Sequence, residues 1–315
     1  MARNPWLEEL FEMPELEGLR FQEEALVRKV RRIPTQGQVL VNIGDLVDPE
    51  TVVVRGTVVN PEIHEVKIYE QLEVDTSEVE RYMLKGEGDE VQKNEVIAIH
   101  RFFFGRASKV CRSPIDGSLE TFLKSSGRVL IRGKPIPIEL KAHIPGKVVS
   151  IIPSEGVVVE CKAALIQGMF GIGGESVGQL AIAVDKPGEA LTTELIEDKH
   201  KGKVVIGGSF ATIDALRKAV RIGVNGIVVG GVDQKDLTDF LGYEIGMGIT
   251  GKEKTDLTLI ITEGFGVHPM KEGTFNLLKS HEGKQACIDG STQIRARMLR
   301  PEMILPLWAQ KNPGS

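Results

Sequence analysis

The spacing of hydrophobic residues changes near residue 190, and this change limits the folds open to the chain more than any other feature. Before it, short β-branched runs are separated by glycine-containing turns, a pattern typical of β-structure built from hairpins. After it, continuous apolar runs alternate with segments of helical period, which predicts a sheet covered by helices on both faces. The 315 residues therefore predict two domains of the α+β class, a β-rich region followed by an α/β domain.

The most regular part of the β-rich region is residues 88–132. A glycine-aspartate turn precedes a β-branched run, a hairpin tip is expected at Gly105-Arg106, and a Ser-Pro-x-x-Gly corner begins at Ser113. This succession resembles the barrel-sandwich hybrid of biotinyl and lipoyl carrier domains. The resemblance implies a compact β-module for this part of the chain.

In those carriers a modified lysine lies at the hairpin tip, eight residues before a proline. Here Arg106 stands eight residues before Pro114, and an arginine cannot accept the acyl group. The resemblance therefore argues against biotin and lipoate as cofactors. Unmodified modules that resemble this one are rigid parts of larger assemblies, which implies a scaffold role with a protein partner.

Two internal repeats support a modular β-rich region. Residues 44–54 match residues 88–98 at a constant offset of 44, and residues 117–132 align without gaps on residues 146–161. Each segment of the second pair predicts one hairpin, so the same hairpin is used twice. The equivalent apolar positions are Leu119 and Val148, Phe122 and Ile151, and Val129 and Val158.

The predicted organisation has four parts: a helical arm at 1–34, a barrel-sandwich-like domain at 35–187, a Rossmann-like α/β domain with a mainly parallel sheet at 188–293, and an extended tail at 294–315. Apolar residues at helical spacing, with a break at Pro14, predict the arm, which either docks on a partner or packs on its own domain. The tail is expected to form an edge strand or to return to the β-module.

In the α/β domain, strands are expected at 204–208, 226–231, 257–262 and 286–289, and helices at 210–222, 234–241 and 271–280. Ligands of such sheets bind beyond the carboxyl ends of the strands. Glycine and hydroxyl residues are concentrated there, and the fourth strand adds Thr292. The predicted ligand contacts are Gly207, Gly208, Ser209, Thr212, Gly230, Gly231, Thr262, Glu263 and Gly264.

Bare glycine amides and helix N-termini suit a small anionic ligand, such as a nucleotide or another phosphate-bearing molecule. The alternative is that the same residues serve turns and helix caps. Glu263 and His268 are close enough in sequence to suggest acid-base chemistry, but no nucleophile with an ordered histidine partner accompanies them. No catalytic residue is therefore assigned.

Composition removes several classes of function. A net charge of −5 gives no overall attraction to nucleic acid, and no apolar run is long enough to insert in a membrane. The three cysteines match no disulfide or zinc spacing, and five of the six histidines lie in separate segments without metal-ligand spacing, so we expect buried or idle thiols in a reducing compartment and no metal. Without a membrane span or a signal-like N-terminus, a cytoplasmic location is expected.

Two functional hypotheses follow. The first is a non-catalytic binding or assembly protein, with a protein partner for the β-module and an optional nucleotide or phosphate site. The second is an enzyme that acts on a phosphate-bearing cofactor or substrate at the glycine-rich strand ends.

Overall fold

The computed structural model describes residues 21–103, 105–243, 255–292 and 299–307. The strands of the first half are β1 (Phe21–Arg32), β2 (Gly37–Val39), β3 (Leu46–Val47), β4 (Val52–Val58), β5 (Ile63–Lys67), β6 (Glu90–Val91), β7 (Val96–Phe102), β8 (Ala107–Arg112), β9 (Gly117–Leu123), β10 (Arg128–Gly133), β11 (Ile136–Lys141), β12 (Gly146–Ile152) and β13 (Gly156–Gln167).

The strands of the second half are β14 (Phe170–Ile172), β15 (Glu175–Ile182), β16 (Ala190–Leu191), β17 (Val204–Ile206), β18 (Phe210–Ala211), β19 (Gly226–Val232), β20 (Thr258–Phe265), β21 (Gln285–Asp289) and β22 (Glu302–Pro306). The α-helices are α1 (Ile68–Leu72), α2 (Ile213–Ile222), α3 (Gln234–Leu241) and α4 (Glu272–Ser280). Short 3₁₀ helices lie at Thr76–Tyr82, Lys124–Ser126, Thr193–Leu195 and Asp198–His200.

One mixed sheet of 11 strands dominates the molecule, in the order β14-β20-β19-β17-β15-β21-β22-β13-β12-β3, with β1 paired to β13. Within it, β15, β17, β19 and β20 are parallel to one another, and the other neighbouring pairs are antiparallel. The prediction of a separate Rossmann-like domain with a mainly parallel sheet is therefore wrong. The fold is β-rich, and its parallel strands are a minority within a larger mixed sheet.

The error has a physical cause. A strand buried on both faces has a continuous apolar sequence whether its neighbours are parallel or antiparallel, so the residues of β21 do not reveal its direction. This strand pairs antiparallel with β15 on one side and β22 on the other. The sheet thus continues across residue 187, the predicted end of the β-rich domain.

The predicted N-terminal helix is also wrong for the described part of the arm, because Phe21–Arg32 is strand β1. Alternate residues of this strand face inward, but Lys29 and Arg31 are among them. Inward-facing charges hide the period of two that marks a half-buried strand. Residues 1–20 of the arm lie outside the described residues.

The tail returns to the β-rich region, which was one of the two expectations. Its strand β22 lies between β21 and β13 and pairs with both. Residues 293–298 and 308–315 of the tail lie outside the described residues. The return places the end of the described chain inside the main sheet.

A second β-module is inserted into a hairpin of the first. Val58 of β4 and Ile136 of β11 are register partners, so the chain leaves and re-enters the hairpin at neighbouring points. We call residues 59–135 the inner module, and β2–β4 with β11–β13 the outer module. The inner module occupies the position where the outer hairpin would have its tip.

The two modules contain equivalent turns at the predicted offset of 44. The amide of Gly44 donates to the carbonyl of Val148 at 2.8 Å, and the amide of Gly88 donates to that of Leu119 at 2.7 Å. The carboxylate of the following aspartate, Asp45 in one copy, accepts a backbone amide two residues before the glycine in both copies. The matching bonds indicate that the two segments share one local structure.

The second repeat differs in register from its gapless alignment. Leu119 pairs with Ile131, whereas the equivalent Val148 pairs with Val159, so the return strands are displaced by one residue. The hairpin loop of the outer copy is shorter than that of the inner copy, because its return strand resumes pairing at Gly156. A shorter loop shifts the pairing of the whole return strand.

The inner module has its own hydrophobic core. Its members come from β5 to β10, α1 and the adjacent 3₁₀ helix, and they include Ile68, Leu72 and Leu119. The outer core contains Cys287 and Ile304 of the C-terminal half and, in the described chain, shares no residue with the inner core. The outer module is therefore fused to the main sheet, whereas the inner module is a separately packed unit.

Candidate functional site

Three of the four predicted strand ends meet at one edge of the sheet. The strands β17, β19 and β20 are parallel, so Gly207, Gly230 and Thr262 lie on neighbouring strands near their carboxyl ends. The fourth end does not join them, because β21 runs in the opposite direction. Its Thr292 instead exchanges hydrogen bonds with the backbone of Gly171.

The glycines of this edge are needed for contacts within the protein. A Cβ atom on Gly230 would lie 1.9 Å from the carbonyl oxygen of His268, and one on Gly231 would lie 2.0 Å from that of Gly266. A Cβ atom on Gly208 would lie 2.4 Å from the carbonyl oxygen of Glu189. The loops that follow β15 and β20 therefore pack on the glycines at distances that no side chain permits.

The predicted polar contacts also have partners within the fold. The buried Ser209 hydroxyl donates to the Gly188 carbonyl at 2.9 Å, and the Thr262 hydroxyl donates to the Val229 carbonyl at 3.3 Å. The Thr212 hydroxyl accepts the amide of Ala215 and caps α2.

Glu263, the acidic residue among the predicted ligand contacts, is held by the start of α4. The Glu263 carboxylate accepts the backbone amide of Lys271 at 3.2 Å and lies 3.4 Å from its ammonium group. Gly264 follows with a φ of +148°, which favours glycine, and pairs with Gly231 in the β19–β20 ladder. His268 lies 2.8 Å from the Phe265 carbonyl through Nε2, so its ring is directed to the backbone. Ligand binding along this edge stays a prediction.

A cluster of charged side chains joins β1 to the ends of β15, β21 and β22. Arg31 donates to both carboxylate oxygens of Glu175, at 2.7 Å for Nη2 to Oε2. Lys29 lies 2.5 Å from Glu302 and 3.3 Å from Asp289. Burial by itself lowers the pKa of Lys29, but the two carboxylates outweigh it and raise the pKa above its usual value.

The Glu175 carboxylate is held ionised in this cluster. Burial raises its pKa, but the hydrogen bond from Arg31 and the neighbouring positive charges outweigh burial and leave the pKa below its usual value. Breaking such a pair by removing one partner leaves an unpaired charge and typically costs about 3–5 kcal/mol when the pair is buried. The cluster therefore ties the N-terminal strand to the main sheet.

His143 lies beside this cluster in an unusual backbone conformation. Its φ is +66°, only 4% of its surface is exposed, and its Nε2 has no hydrogen-bond partner in the described residues. Its Nδ1 lies 4.0 Å from Glu175, but burial dominates and lowers the pKa of His143 to about 4. Perturbed titration and backbone strain together mark functional or switching positions in many proteins.

Sequence reasoning missed this cluster. Its members come from segments separated by more than 100 residues, and none forms a recognised motif. A signal was present in the acidic residues at the ends of core strands, such as Asp289 at the end of β21. Their pairing with Lys29 and Arg31 could be foreseen only if this part of the predicted helical arm at 1–34 had been recognised as a strand.

The inner module presents an exposed aromatic hairpin tip between β7 and β8. Arg106 lies in the turn and is exposed, where the resemblance to carrier domains expects a tip. Phe103 is 74% exposed with a φ of +51°. Behind it, ring centroids of Phe102 and His100 are 5.5 Å apart, and those of His100 and Tyr82 are 4.5 Å apart.

The three cysteines are free and buried, as the sequence predicted. Burial raises the pKa of the Cys111 and Cys161 thiols to about 11, and it also raises that of Cys287. A thiol with a raised pKa is a poor nucleophile at neutral pH. The described cysteines are therefore part of the core packing.

No protein family matches the chain, and no curated protein matches its sequence. Within the described ranges, no group of three or more acidic, histidine or cysteine side chains is placed to hold a metal ion. None of the helices in the same ranges has the length and apolar character needed to cross a membrane.

Proposed function

We propose that the protein is a non-catalytic binding or assembly protein that docks on a protein partner through the hairpin tip of its inner module. The observation that carries the proposal is Phe103. At 74% exposure its ring gains little from the fold, and a left-handed backbone at a bulky residue costs roughly 1–2 kcal/mol. A position that is costly and contributes little to the core is better explained by recognition.

The tip has the features of an interaction hot spot. Its aromatic stack runs from the exposed Phe103 through Phe102 and His100 to Tyr82, which packs against the inner core. Aromatic anchors of this kind dominate the binding energy of many interfaces. The stack therefore connects the tip to the inner core.

The charge of the tip indicates the chemistry of the partner. Arg101 and Arg106 are exposed, and no acidic side chain among the described residues pairs with either of them. Arginines next to exposed aromatic rings suit an apolar pocket with carboxylates at its rim. The partner surface is therefore acidic, although the chain itself carries a net charge of −5.

The enzyme alternative has less support. The glycines of the strand-end edge are in contact with backbone oxygens of the protein's own loops, and the neighbouring hydroxyl groups have internal partners. A phosphate there would have to displace those contacts. A cytoplasmic location belongs to the same proposal as the protein partner.

We expect Phe103→Asn to weaken partner binding by about 30-fold or more, because truncation of a hot spot typically costs 2 kcal/mol or more. Asparagine tolerates a left-handed backbone, so the fold is retained. The measurement is co-purification of a stoichiometric partner with the tagged chain from its native cells, followed by titration of the purified partner.

The control is Val267→Asn, because Val267 is 67% exposed on a loop of the other half of the molecule. This variant should retain the partner. Equal binding by Phe103→Asn and the wild-type chain would overturn the proposal, as would binding of single-stranded nucleic acid in place of a protein.

A further inference from the structure

A small cavity lies beside the strand-end edge, on the side that faces β1. Its volume is about 270 Å³, and it opens between the end of β13, the middle of β20 and the first turn of α4. Phe21 and Ile166 form its apolar wall. Typical drug-sized ligands occupy pockets of about 300–1,000 Å³, so this cavity suits a smaller molecule.

The first turn of α4 supplies hydrogen-bond donors to the cavity. Thr274 lines the cavity, is only 7% exposed, and its hydroxyl has no hydrogen-bond partner among the described residues. The helix has no side-chain N-cap, and Gly273 also lines the cavity. Backbone amides at a helix start, together with a free hydroxyl, bind the oxygen atoms of a carboxylate.

A fixed negative charge lies in the same cavity. The side chain of Glu263 is 14% exposed, and its position is set by the amide and the ammonium group of Lys271. Lys271 also lines the cavity, and its ammonium group lies 3.4 Å from this carboxylate, so the site presents one charge of each sign. A phosphate dianion would meet both charges, whereas the ammonium and carboxylate groups of a zwitterion complement them.

We infer that this cavity binds a free α-amino acid with an apolar side chain. The carboxylate of the ligand lies at the start of α4 with Thr274, its ammonium group pairs with Glu263, and its side chain contacts Phe21 and Ile166. A zwitterion satisfies both charges of the site, whereas a nucleotide exceeds its volume. This site is additional to the proposed docking at the hairpin tip and does not depend on it.

The test is isothermal titration of the full-length protein with the twenty common amino acids. We expect at least one apolar amino acid, such as leucine, to bind with a Kd below about 1 mM. Two leucine analogues test recognition of the ammonium group and of the carboxylate one at a time. The first, 4-methylpentanoate, lacks the ammonium group, and the second, 3-methylbutylamine, lacks the carboxylate. Both should bind at least 10-fold more weakly than leucine.

Two variants probe the two ends of the site. Thr274→Val keeps the side-chain shape and removes the hydroxyl, and Glu263→Gln keeps the shape and removes the charge. Each variant should weaken binding of the amino acid by about 10-fold or more, as expected for the loss of a hydrogen bond to a charged group. Thr238→Val in α3 is the matched control, because Thr238 is a half-buried helical threonine outside the cavity, and the variant should bind like the wild-type chain.

Absence of binding by all twenty amino acids to the wild-type protein would overturn the inference. Equal affinity of leucine and 4-methylpentanoate would do so as well, because the ammonium group would then not be recognised. Unchanged affinity in both site variants would place the ligand elsewhere.

Discussion

Gly231→Ala is expected to destabilise the protein by about 3 kcal/mol or more, because a new Cβ atom would lie 2.0 Å from the carbonyl oxygen of Gly266. The clash is with backbone on the neighbouring ladder, so no side-chain rotation relieves it. Gly264 and Gly266 belong to the segment that would have to move, and their positive φ values make an alternative path costly. The measurement is the free energy of unfolding in urea.

The matched control is Gly188→Ala, in the loop that covers the same edge of the sheet. A Cβ atom at Gly188 has open space around it, and no left-handed conformation is required there. We expect a change within about 0.5 kcal/mol. Should Gly231→Ala unfold at the same urea concentration as the wild-type protein, the glycine would have another role, such as close approach to a ligand.

His143 is expected to make the protein lose stability as the pH falls from 6.5 to about 4. Burial lowers the pKa of His143 in the folded state to about 4, whereas in the unfolded chain the imidazole takes up its proton near the ordinary pKa of 6.5. The unfolded state therefore binds more protons than the folded state between pH 6.5 and about 4, so the free energy of unfolding decreases as the pH decreases. A difference of this size corresponds to roughly 3 kcal/mol.

The lowered pKa of Glu175 acts in the same direction at more acidic pH, because its contribution is lost as the carboxylate is protonated. His143→Asn isolates the histidine, since asparagine tolerates the φ of +66° and does not titrate. Between pH 7 and pH 4, the free energy of unfolding of the variant should decrease by about 3 kcal/mol less than that of the wild-type protein. Parallel stability curves for the two proteins would contradict this account.

The local structure was largely predictable from the sequence. Glycine-aspartate turns and β-branched runs predicted the hairpin with Arg106 in its turn, and apolar periodicity predicted helices where α2, α3 and α4 lie. These features depend on residues close together in the chain. The predicted repeat at an offset of 44 residues also corresponds to equivalent turns in both modules.

The overall arrangement of the strands was not predictable, because it depends on residues that are far apart in the chain. The direction of β21 has no local signature, and the inward charges of β1 removed the alternation that identifies a strand. The glycines of Gly230-Gly231 looked like those of a ligand site, because the same residue serves close approach to a ligand or to another part of the backbone. Only the positions of neighbouring loops separate these two uses.

The insertion of the inner module was likewise hidden in the sequence. The adjacency of Val58 and Ile136 depends on pairing across the whole of residues 59–135. The proposed function depends on this adjacency, because a separately packed module can hold its tip away from the main sheet. The core of the inner module provides the packing for such a unit.

The most direct test of this account is the ¹H–¹⁵N NMR spectrum of the isolated fragment 59–135. We predict dispersed amide resonances and cooperative unfolding in urea, because the fragment has its own core and its ends lie together. A spectrum with the narrow amide dispersion of an unfolded chain would contradict the claim that the inner module is a self-contained unit.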